Sequence, residues 1–400
     1  MYTPTPISTQ RLSISPKTCA DVFRAEMALV RMEERIRFER IRPALCEAIA
    51  RREAISTIRL DGKNPSVRML IALKNRSRAH DKPPSPSDEQ HEPPSEDASP
   101  QEYASLEALR YMQTLQWLSN SIKPGDLIYP ETLLEIHSRC VFGESASESG
   151  VTFRTHEYQV PDYLAEIYRA PSPDEVLPLI EDLCAFINEE VYTPNAQAAI
   201  AHFQFESIKP FKRGLDRVGR AMHHFILYRR GLVEAFVPPI GLRPAVNAKS
   251  HAERLMPYVT GFDMEGLGKT HALDNWIRFS AQSMEAAAGI MKVYINTIVD
   301  LENSWEERVG KTSKGCAVQE LLLRLPCEPV LTVSSAMRLI DRSFSSTNDA
   351  LLRLEHAGVL TLTEGVSGRN RVFEATEIFS AIDAMENNLR ASGPRRPEPV

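Results

Sequence analysis

The sequence has few cysteines and no long hydrophobic run. Six cysteines are spread over 400 residues without a Cys-x-x-Cys pair, which excludes a small disulfide framework and favours a reducing compartment. A membrane-spanning helix needs about 18 consecutive apolar residues, and no such run occurs. The start of the chain, residues 1–16, is polar and lacks the apolar segment of a signal peptide. We therefore predict a cytoplasmic protein with no membrane partner.

The sequence also lacks metal-ligand spacing and a general excess of positive charge. Neither the cysteines nor the ten histidines are spaced as zinc ligands, and the adjacent His223 and His224 would point in different directions around a helix. The net charge of −6 argues against a surface that binds polyanions throughout, while a local basic patch is compatible with it. No metal site is expected, and the length predicts about two or three domains.

A basic loop within residues 201–220 is the main candidate for a binding site. An apolar pattern predicts a helix that ends near Ile208. A loop with one glycine and three cations follows over 209–216, and a second helix is predicted from about Arg217. Free N–H groups at a helix start, the helix dipole and arginine side chains all favour a bound phosphate. The alternative is a solvated, cationic corner between two helices.

The same stretch resembles the signature of the Fic family, which reads His-Pro-Phe, two residues of which the second is acidic, Gly-Asn-Gly-Arg, one residue, Gly-Arg. Six positions match the signature, namely Pro210, Phe211, Gly214, Arg217, Gly219 and Arg220. Four positions differ: Lys209 stands at the family's His, Arg213 at its acidic residue, Leu215 at its Asn and Asp216 at its second Gly. The stretch therefore resembles a Fic scaffold with an altered centre.

The resemblance implies a fold class and a reaction. The fold would be mostly α, with a Fic-type all-helical core, a short β-hairpin flap and a C-terminal winged-helix domain of the α+β type. Members of the family transfer AMP from ATP to a protein hydroxyl: the His removes the proton, the acidic residue holds Mg²⁺ and the Asn positions the α-phosphate. By resemblance, the nucleotide or phosphate would be bound by Gly214, Arg217, Gly219 and Arg220, with Arg213 beside them.

The substituted positions lack the chemistry of that reaction. Lys209, at the catalytic position, is a poor base because its ordinary pKa is about 10.4 and a nearby polyphosphate would stabilise the ammonium. Loss of a general base costs about 10²–10⁴-fold in rate. Arg213 has no lone pair to offer a metal, and Leu215 cannot hydrogen-bond phosphate. We predict an impaired protein adenylyltransferase that retains binding of ATP or another nucleotide without Mg²⁺.

Two other functions remain open at this point. One is an active transferase with altered chemistry, in which Lys209 neutralises phosphate and another base acts. His202 is the candidate for that base, but it lies about 10 Å away along the helix, so a buried core histidine is the favoured interpretation. The other is a winged-helix transcriptional regulator or adaptor that uses the Fic fold to bind a ligand or a partner.

A second segment resembles the inhibitory helix that precedes many Fic domains, with Ser or Thr, three residues, Glu, and then Gly or Asn. Thr57, Asp61 and Gly62 occupy these positions, with Asp in place of Glu. The resemblance implies that Asp61 pairs with Arg220 and blocks the nucleotide γ-phosphate. Because Asp is one methylene shorter than Glu, the sequence leaves open whether it reaches that arginine.

Two further segments predict partners. Residues 153–160 alternate in the manner of a strand and by position resemble the Fic flap, which aligns a protein target by strand pairing.

Residues 313–385 show three helical patterns and then two strand patterns, which resembles a winged helix. DNA binding would use Asn348, Arg353, Arg369 and Arg371. The region is not basic overall, and winged helices also serve as partner modules, so a homodimer is a further candidate.

Composition then predicts the domain limits. Residues 1–79 form an N-terminal helical region with a loose polar lead over 1–17, and the Pro-, Ser- and acid-rich residues 80–100 form a disordered linker. The Fic-like domain is predicted over 101–300 and the winged helix over 313–385. A disordered tail is predicted over 386–400.

Overall fold

The computed structural model describes residues 2–80, 99–143, 150–165, 168–247, 269–363 and 371–391. The chain divides into two compact units, each built from separated segments. Unit 1 comprises Met1–Glu34, Ala50–Ser66 and Asp97–Ala288, and unit 2 comprises Arg35–Ile49, Val67–Glu96 and Gly289–Val400. This division differs from the domain limits predicted from composition, because the N-terminal helical region contributes to both units.

The described residues are mostly helical, which confirms the predicted fold class. The helices of the first 230 residues are α1 (Pro16–Arg37), α2 (Arg42–Leu60), α3 (Val67–His80), α4 (Pro100–Ser121), α5 (Pro130–Val141), α6 (Asp162–Ala165), α7 (Pro173–Asn188), α8 (Pro194–Ile208) and α9 (Leu215–Arg229). A 3₁₀ turn (Pro244–Asn247) and a long helix, α10 (Lys269–Val309), follow. Within the described ranges, no helix is both long and apolar enough to cross a membrane.

The remaining elements lie in the C-terminal part of unit 2. They are α11 (Ala317–Leu322), β1 (Val330–Thr332), α12 (Val333–Ile340), α13 (Phe344–His356), β2 (Thr361–Leu362), β3 (Val372–Glu374) and α14 (Thr376–Ala391). The strands form an antiparallel sheet in the order β1-β3-β2, with Phe373 opposite Leu331 on one side and Leu362 on the other. An α+β element is therefore present, and it contains the three helices and the hairpin that the sequence predicted. The winged-helix assignment itself stays a prediction.

Helix α8 is the central element of unit 1. Apolar residues occur all around it, which is typical of a fully buried helix, and its side chains are buried from Asn195 to Ile208. It packs between α7 and α9. The start of α7 is fixed by a capping box, in which the Ser172 N–H donates to the Glu175 carboxylate at 2.7 Å. Because α8 is enclosed on both sides, the loop at its C-terminal end has a defined position.

The polar lead at residues 1–17 is not loose. The backbone N–H groups of Ile7 and Ser8 donate to the Asp182 carboxylate on α7, and the Leu12 N–H donates to the Tyr192 hydroxyl at 2.7 Å. Ile7 is only 4% exposed. The prediction failed because few apolar residues occur in this segment and most of its contacts are made by the backbone, which composition does not reveal.

The predicted flap hairpin is absent from the described part of the segment, residues 150–161, which contains no strand. The backbone N–H of Arg154 instead donates to the carbonyl of Pro210 at 2.9 Å. The strand predicted over 153–160 was therefore wrong. This segment hydrogen-bonds to the loop that follows α8 rather than to a second strand of its own.

The C-terminal helix α14 also corrects a prediction. Residues 386–391, which composition placed in a disordered tail, form the last turns of this helix, and Met385 and Leu389 are buried at 3% and 4% exposure. Two adjacent asparagines, Asn387 and Asn388, masked the helical spacing of these apolar residues. The rest of the predicted tail, 392–400, and most of the predicted linker, 81–98, lie outside the described residues.

Replacing Leu389 by Ala tests the extended helix. We expect the free energy of unfolding to fall by about 2 kcal/mol, near the low end for a buried leucine because the site is in a terminal turn. Chemical denaturation followed by circular dichroism measures this loss. The exposed Asn387→Ala is the matched control and should change stability by less than about 0.5 kcal/mol. Equal stability of the two variants would show that this segment does not pack.

Candidate functional site

The signature loop, residues 209–214, connects α8 to α9 through two left-handed residues. Lys209 is the C-cap of α8 with φ 53° and ψ 54°, a conformation that costs a lysine about 1–2 kcal/mol. Gly214 has φ 70° at the start of α9, and a Cβ atom there would lie 2.5 Å from Val141 Cγ2. Glycine is therefore required at this position both by the backbone conformation and by the space available.

Lys209 is held in a buried ion pair. Its Nζ lies 3.1 Å from Oε2 of Glu206, one turn earlier on α8, and Glu206 is fully buried. Burial favours the neutral lysine, but the negative charges of Glu206 and Asp216 outweigh it and raise the pKa of Lys209. Burial likewise opposes ionisation of Glu206, yet Lys209 and His202 lower its pKa to about 2. Both members of the pair are therefore charged at neutral pH.

His202 belongs to the core rather than to the loop. It is 6% exposed, its Nε2 lies 3.8 Å from Oε1 of Glu206, and its ring makes an edge contact with Trp276 at 5.7 Å between centroids. A Cβ atom on Gly219 would approach His202 Cδ2 to 2.8 Å. Gly219 thus permits close contact between α8 and α9, and a phosphate contact by this residue stays a prediction.

Arg217 and Arg220 share one carboxylate. Asp61 places Oδ2 3.0 Å from Arg217 Nε and Oδ1 2.8 Å from Arg220 Nη2, so the shorter Asp does reach the second arginine of the signature. Glu107 on α4 contributes a further carboxylate oxygen 3.1 Å from Arg217. The Thr57 carbonyl accepts a hydrogen bond from Arg220 at 3.3 Å. Burial opposes the charge of Arg220, but Asp61 outweighs it and raises the pKa of this arginine.

The end of α2 directs Asp61 toward the arginines. Gly62 follows it with φ 77°, a left-handed conformation that glycine adopts at least cost and that commonly ends a helix. The Lys63 N–H then donates to the Ile58 carbonyl at 3.3 Å. Thr57, one turn earlier, is fully buried, so its side chain fixes α2 in the core. The structure therefore brings Thr57 and Asp61 to the signature arginines, and Gly62 ends the helix that carries them.

Arg154 is a site residue that the sequence did not indicate. Its backbone N–H donates to the carbonyl of Pro210, and its Nε donates to the carbonyl of Lys209 at 2.8 Å. A third hydrogen bond from Nη1 reaches the carbonyl of His156 at 3.1 Å. The Arg154 side chain thus connects residues 150–161 to Lys209, the loop residue with the left-handed backbone. No motif marks this arginine, because its partners are main-chain carbonyls.

His137 on α5 is a second residue that the sequence did not indicate. Its ring stacks on Phe211 with centroids 4.0 Å apart, and its Nε2 donates to the carbonyl of Arg213 at 3.0 Å. Burial lowers the pKa of His137, so the ring is neutral at pH 7. This hydrogen bond fixes the backbone of Arg213, although Arg213 is exposed to solvent.

The residues predicted to contact DNA are engaged within unit 2. Arg371 donates to the side-chain oxygen of Asn348, and Arg353 donates to the carbonyls of Val309 and Lys311 at 3.1 and 3.0 Å. Arg369 lies outside the described residues. The structure brings together two of the four residues and gives Arg353 a structural contact, so DNA binding stays a prediction.

The site can hold an anion, but its described residues offer no metal cage. Within the described ranges, no group of three or more His, Cys, Asp or Glu side chains could hold a metal ion. Two cations, Arg217 and Arg220, share the carboxylate of Asp61 at the start of α9, where the helix dipole also favours negative charge, and Arg217 also pairs with Glu107. Nε of Arg220 has no hydrogen-bond partner in the described part of the chain.

Comparison with known proteins identifies the domain around this loop. Residues 127–227 match the sequence model of the Fic/DOC family. The chain also shares its fold with a Fic family protein from Desulfovibrio desulfuricans G20, with a TM-score of 0.51 and 13% identity over 94% of this chain and 98% of that chain. The chain therefore contains a Fic-like domain, as the signature predicted.

Two curated relatives match part of the chain. The protein adenylyltransferase fic-1 of Caenorhabditis elegans is 24% identical over 196 residues, which are 48% of this chain and 35% of that protein. Its namesake in Caenorhabditis briggsae is 23% identical over 176 residues, or 43% of this chain and 31% of that protein. The chain thus aligns with only about a third of the length of either relative.

Replacing Glu206 by Gln tests the buried pair through pH. Because the pKa of Glu206 is lowered from 4.5 to about 2, its stabilising effect is full above pH 4.5 and is lost as the pH falls to about 2. We expect the variant to be less stable at pH 7 by about 3 kcal/mol, and the difference to shrink on acidification. Urea denaturation between pH 7 and pH 3 measures it.

Glu135, whose side chain is 43% exposed and pairs with Arg139 on α5, provides the matched control. Its replacement by Gln should change stability by less than about 1 kcal/mol across this range. A Glu206→Gln difference that stays constant with pH would contradict an ionised Glu206.

Proposed function

We propose that this chain is a catalytically impaired Fic-like protein that binds the phosphates of a nucleotide without a metal ion. The ion pair between Lys209 and Glu206 is the observation that carries the proposal. A general base must be able to take up a proton near neutral pH. Lys209 is already protonated there, with its pKa raised further by the carboxylate beside it. Proton removal from a target hydroxyl therefore has no base at this position.

The second missing function is metal binding. Mg²⁺ prefers oxygen ligands in octahedral geometry, and the position where the family has an acid holds the exposed Arg213. The first turn of α9 contributes one carboxyl group, that of Asp216. The negative charge of Glu206 raises the pKa of Asp216 to about 7, and solvent contact at this exposed residue moderates the rise. One carboxyl group supplies too few of the oxygen ligands that Mg²⁺ requires, whereas Arg213 can supply positive charge directly.

Phosphate binding is supported by Arg217 and Arg220. They lie three residues apart on α9, so their side chains share one face of the helix, and both guanidinium groups are directed to the same anion. At present that anion is the carboxylate of Asp61. A nucleotide phosphate would replace this carboxylate and gain both arginines, so binding competes with an internal ion pair. The adenylyltransferase relatives support ATP as the nucleotide to test first.

The transfer reaction itself is the first test. Purified protein incubated with radiolabelled ATP and Mg²⁺ should show no labelling of itself above a heat-unfolded blank, because no group at position 209 can accept the proton. Autoradiography and intact-mass spectrometry measure the product. Labelling that Lys209→Ala abolishes would overturn the proposal in favour of a transferase with altered chemistry. Labelling that His202→Ala abolishes would assign the base to His202 instead.

Nucleotide binding is the second test, and it uses Asp61→Ala. Removing the competing carboxylate releases Arg220 and leaves Arg217 paired only with Glu107, so we expect ATP to bind about tenfold more tightly, which corresponds to about 1.4 kcal/mol. Isothermal titration calorimetry with and without Mg²⁺ measures it, and Mg²⁺ should change the affinity little. Glu181→Ala, which removes an exposed acid of α7, is the matched control. Absence of binding to both Asp61→Ala and the wild type would remove the nucleotide from the proposal.

A further inference from the structure

Residues 2–12, termed the strap, lie against unit 1 as an extended segment. The carbonyl of Tyr2 accepts a hydrogen bond from the Arg169 N–H at 2.8 Å, and Tyr2 forms an isolated parallel bridge with Tyr168. Farther along, the side chain of Gln204 on α8 donates to the carbonyl of Thr5 at 2.8 Å. The strap thus begins as a short added strand and then crosses the signature helix.

The second half of the strap is held in the same way. The N–H groups of Ile7 and Ser8 both donate to the Asp182 carboxylate. The Tyr192 hydroxyl accepts from the Leu12 N–H at 2.7 Å and lies 3.3 Å from the Leu12 carbonyl. Apart from the Ser8 hydroxyl, which also donates to the Asp182 carboxylate, these contacts recognise main-chain groups of the strap. A surface that binds main-chain groups accepts extended segments of differing sequence, as in other cases of strand addition.

Only a few side chains anchor the strap. Pro4 and Ile7 are buried, and Tyr2 packs against a cluster formed by Tyr168, Ala170, Tyr158 and Val160. Several other strap residues are exposed, namely Thr5, Pro6, Thr9 and Arg11. Pro4 and Pro6 restrict the backbone to extended conformations. With so little buried surface, the strap is expected to open at a lower free energy than the helices it lies on.

The surface beneath the strap adjoins the signature loop. The Tyr168 hydroxyl donates to the carbonyl of Ser207 at 2.7 Å, two residues before Lys209. The ring of Tyr158, from the same cluster, lies 6.0 Å from Nζ of Lys209. A polypeptide bound in place of the strap would therefore lie beside the loop and contact the same helix.

We propose that this surface, formed by Tyr168, Arg169, Asp182, Tyr192 and Gln204, is a docking site for an extended, proline-containing segment of a partner protein. The strap is its built-in competitor, and a partner binds by displacing it. The strap itself defines the chemistry of the partner segment. Such a segment has an apolar anchor at the position of Ile7, a proline near this anchor, and main-chain groups on both sides that can hydrogen-bond to the surface. The proposal goes beyond nucleotide binding and does not depend on it.

A peptide-binding experiment on the full chain tests the proposal. The probe is a fluorescein-labelled peptide with the sequence of residues 2–12, and fluorescence anisotropy measures its affinity. A tethered segment competes at an effective concentration on the order of millimolar, so the wild type should bind the probe weakly. The double variant Tyr2→Ala/Ile7→Ala loses the anchors of its own strap and should bind at least about tenfold more tightly.

Two control variants assign the binding to this surface. Thr9→Ala changes an exposed strap residue and should leave the weak binding of the wild type unchanged. Adding Asp182→Ala to the double variant removes the acceptor for two main-chain N–H groups and should abolish the gain. Equal binding to the wild type and the double variant, or no binding to a folded double variant, would overturn the proposal.

Hydrogen exchange on the unmodified chain decides the question if the double variant does not fold. The amides of Ile7, Leu12 and Arg169 should exchange together and faster than the amide of Lys209, which is bonded to the Phe205 carbonyl at the end of α8. Such a group of amides reports local opening of the strap. Exchange of the strap amides at the rate of the α8 amides would show that the strap is a permanent part of the core and would overturn the proposal. No nucleotide is present in either experiment, so the result is separate from that of the calorimetry.

Discussion

The carboxylate of Asp61 is the interaction on which the site depends. Two guanidinium groups with little solvent contact, Arg217 and Arg220, would each carry a large desolvation cost if they stood alone. Asp61 offsets that cost with one oxygen for each arginine, and Glu107 supplies a further oxygen to Arg217. These ion pairs thereby hold the C-terminal end of α2 against the N-terminal part of α9. The proposed phosphate would therefore have to replace an anion that is already present.

The two ion pairs of the site have different chemical consequences. The pair at Asp61 is made between separate helices. The pair between Glu206 and Lys209 is made within one turn of α8 and lies under the loop. It fixes the protonation of the residue at the catalytic position. In the proposed function, the first pair competes with a ligand phosphate, and the second leaves no base at position 209.

The sequence was sufficient where the signal was local. The helix–loop–helix around Pro210 and Gly214 follows from a signature whose glycine is required by a positive φ and by contact with Val141. Contacts between distant segments could not be predicted from the sequence. The number of residues between Asp61 and Arg220 does not show that the end of α2 lies beside α9. Arg154 was missed for a similar reason, because a side chain that bonds to main-chain carbonyls leaves no pattern of paired residues.

The backbone of Lys209 has a consequence for engineering. A left-handed conformation is uncommon for lysine, while histidine, asparagine and aspartate adopt it several-fold more often, and the loop holds this conformation through Arg154 and Pro210 rather than through the lysine side chain. The frame at this position therefore suits an imidazole at least as well as the ammonium it carries. Installing a new base here is a problem of side-chain exchange and local charge balance, with the main chain already in place.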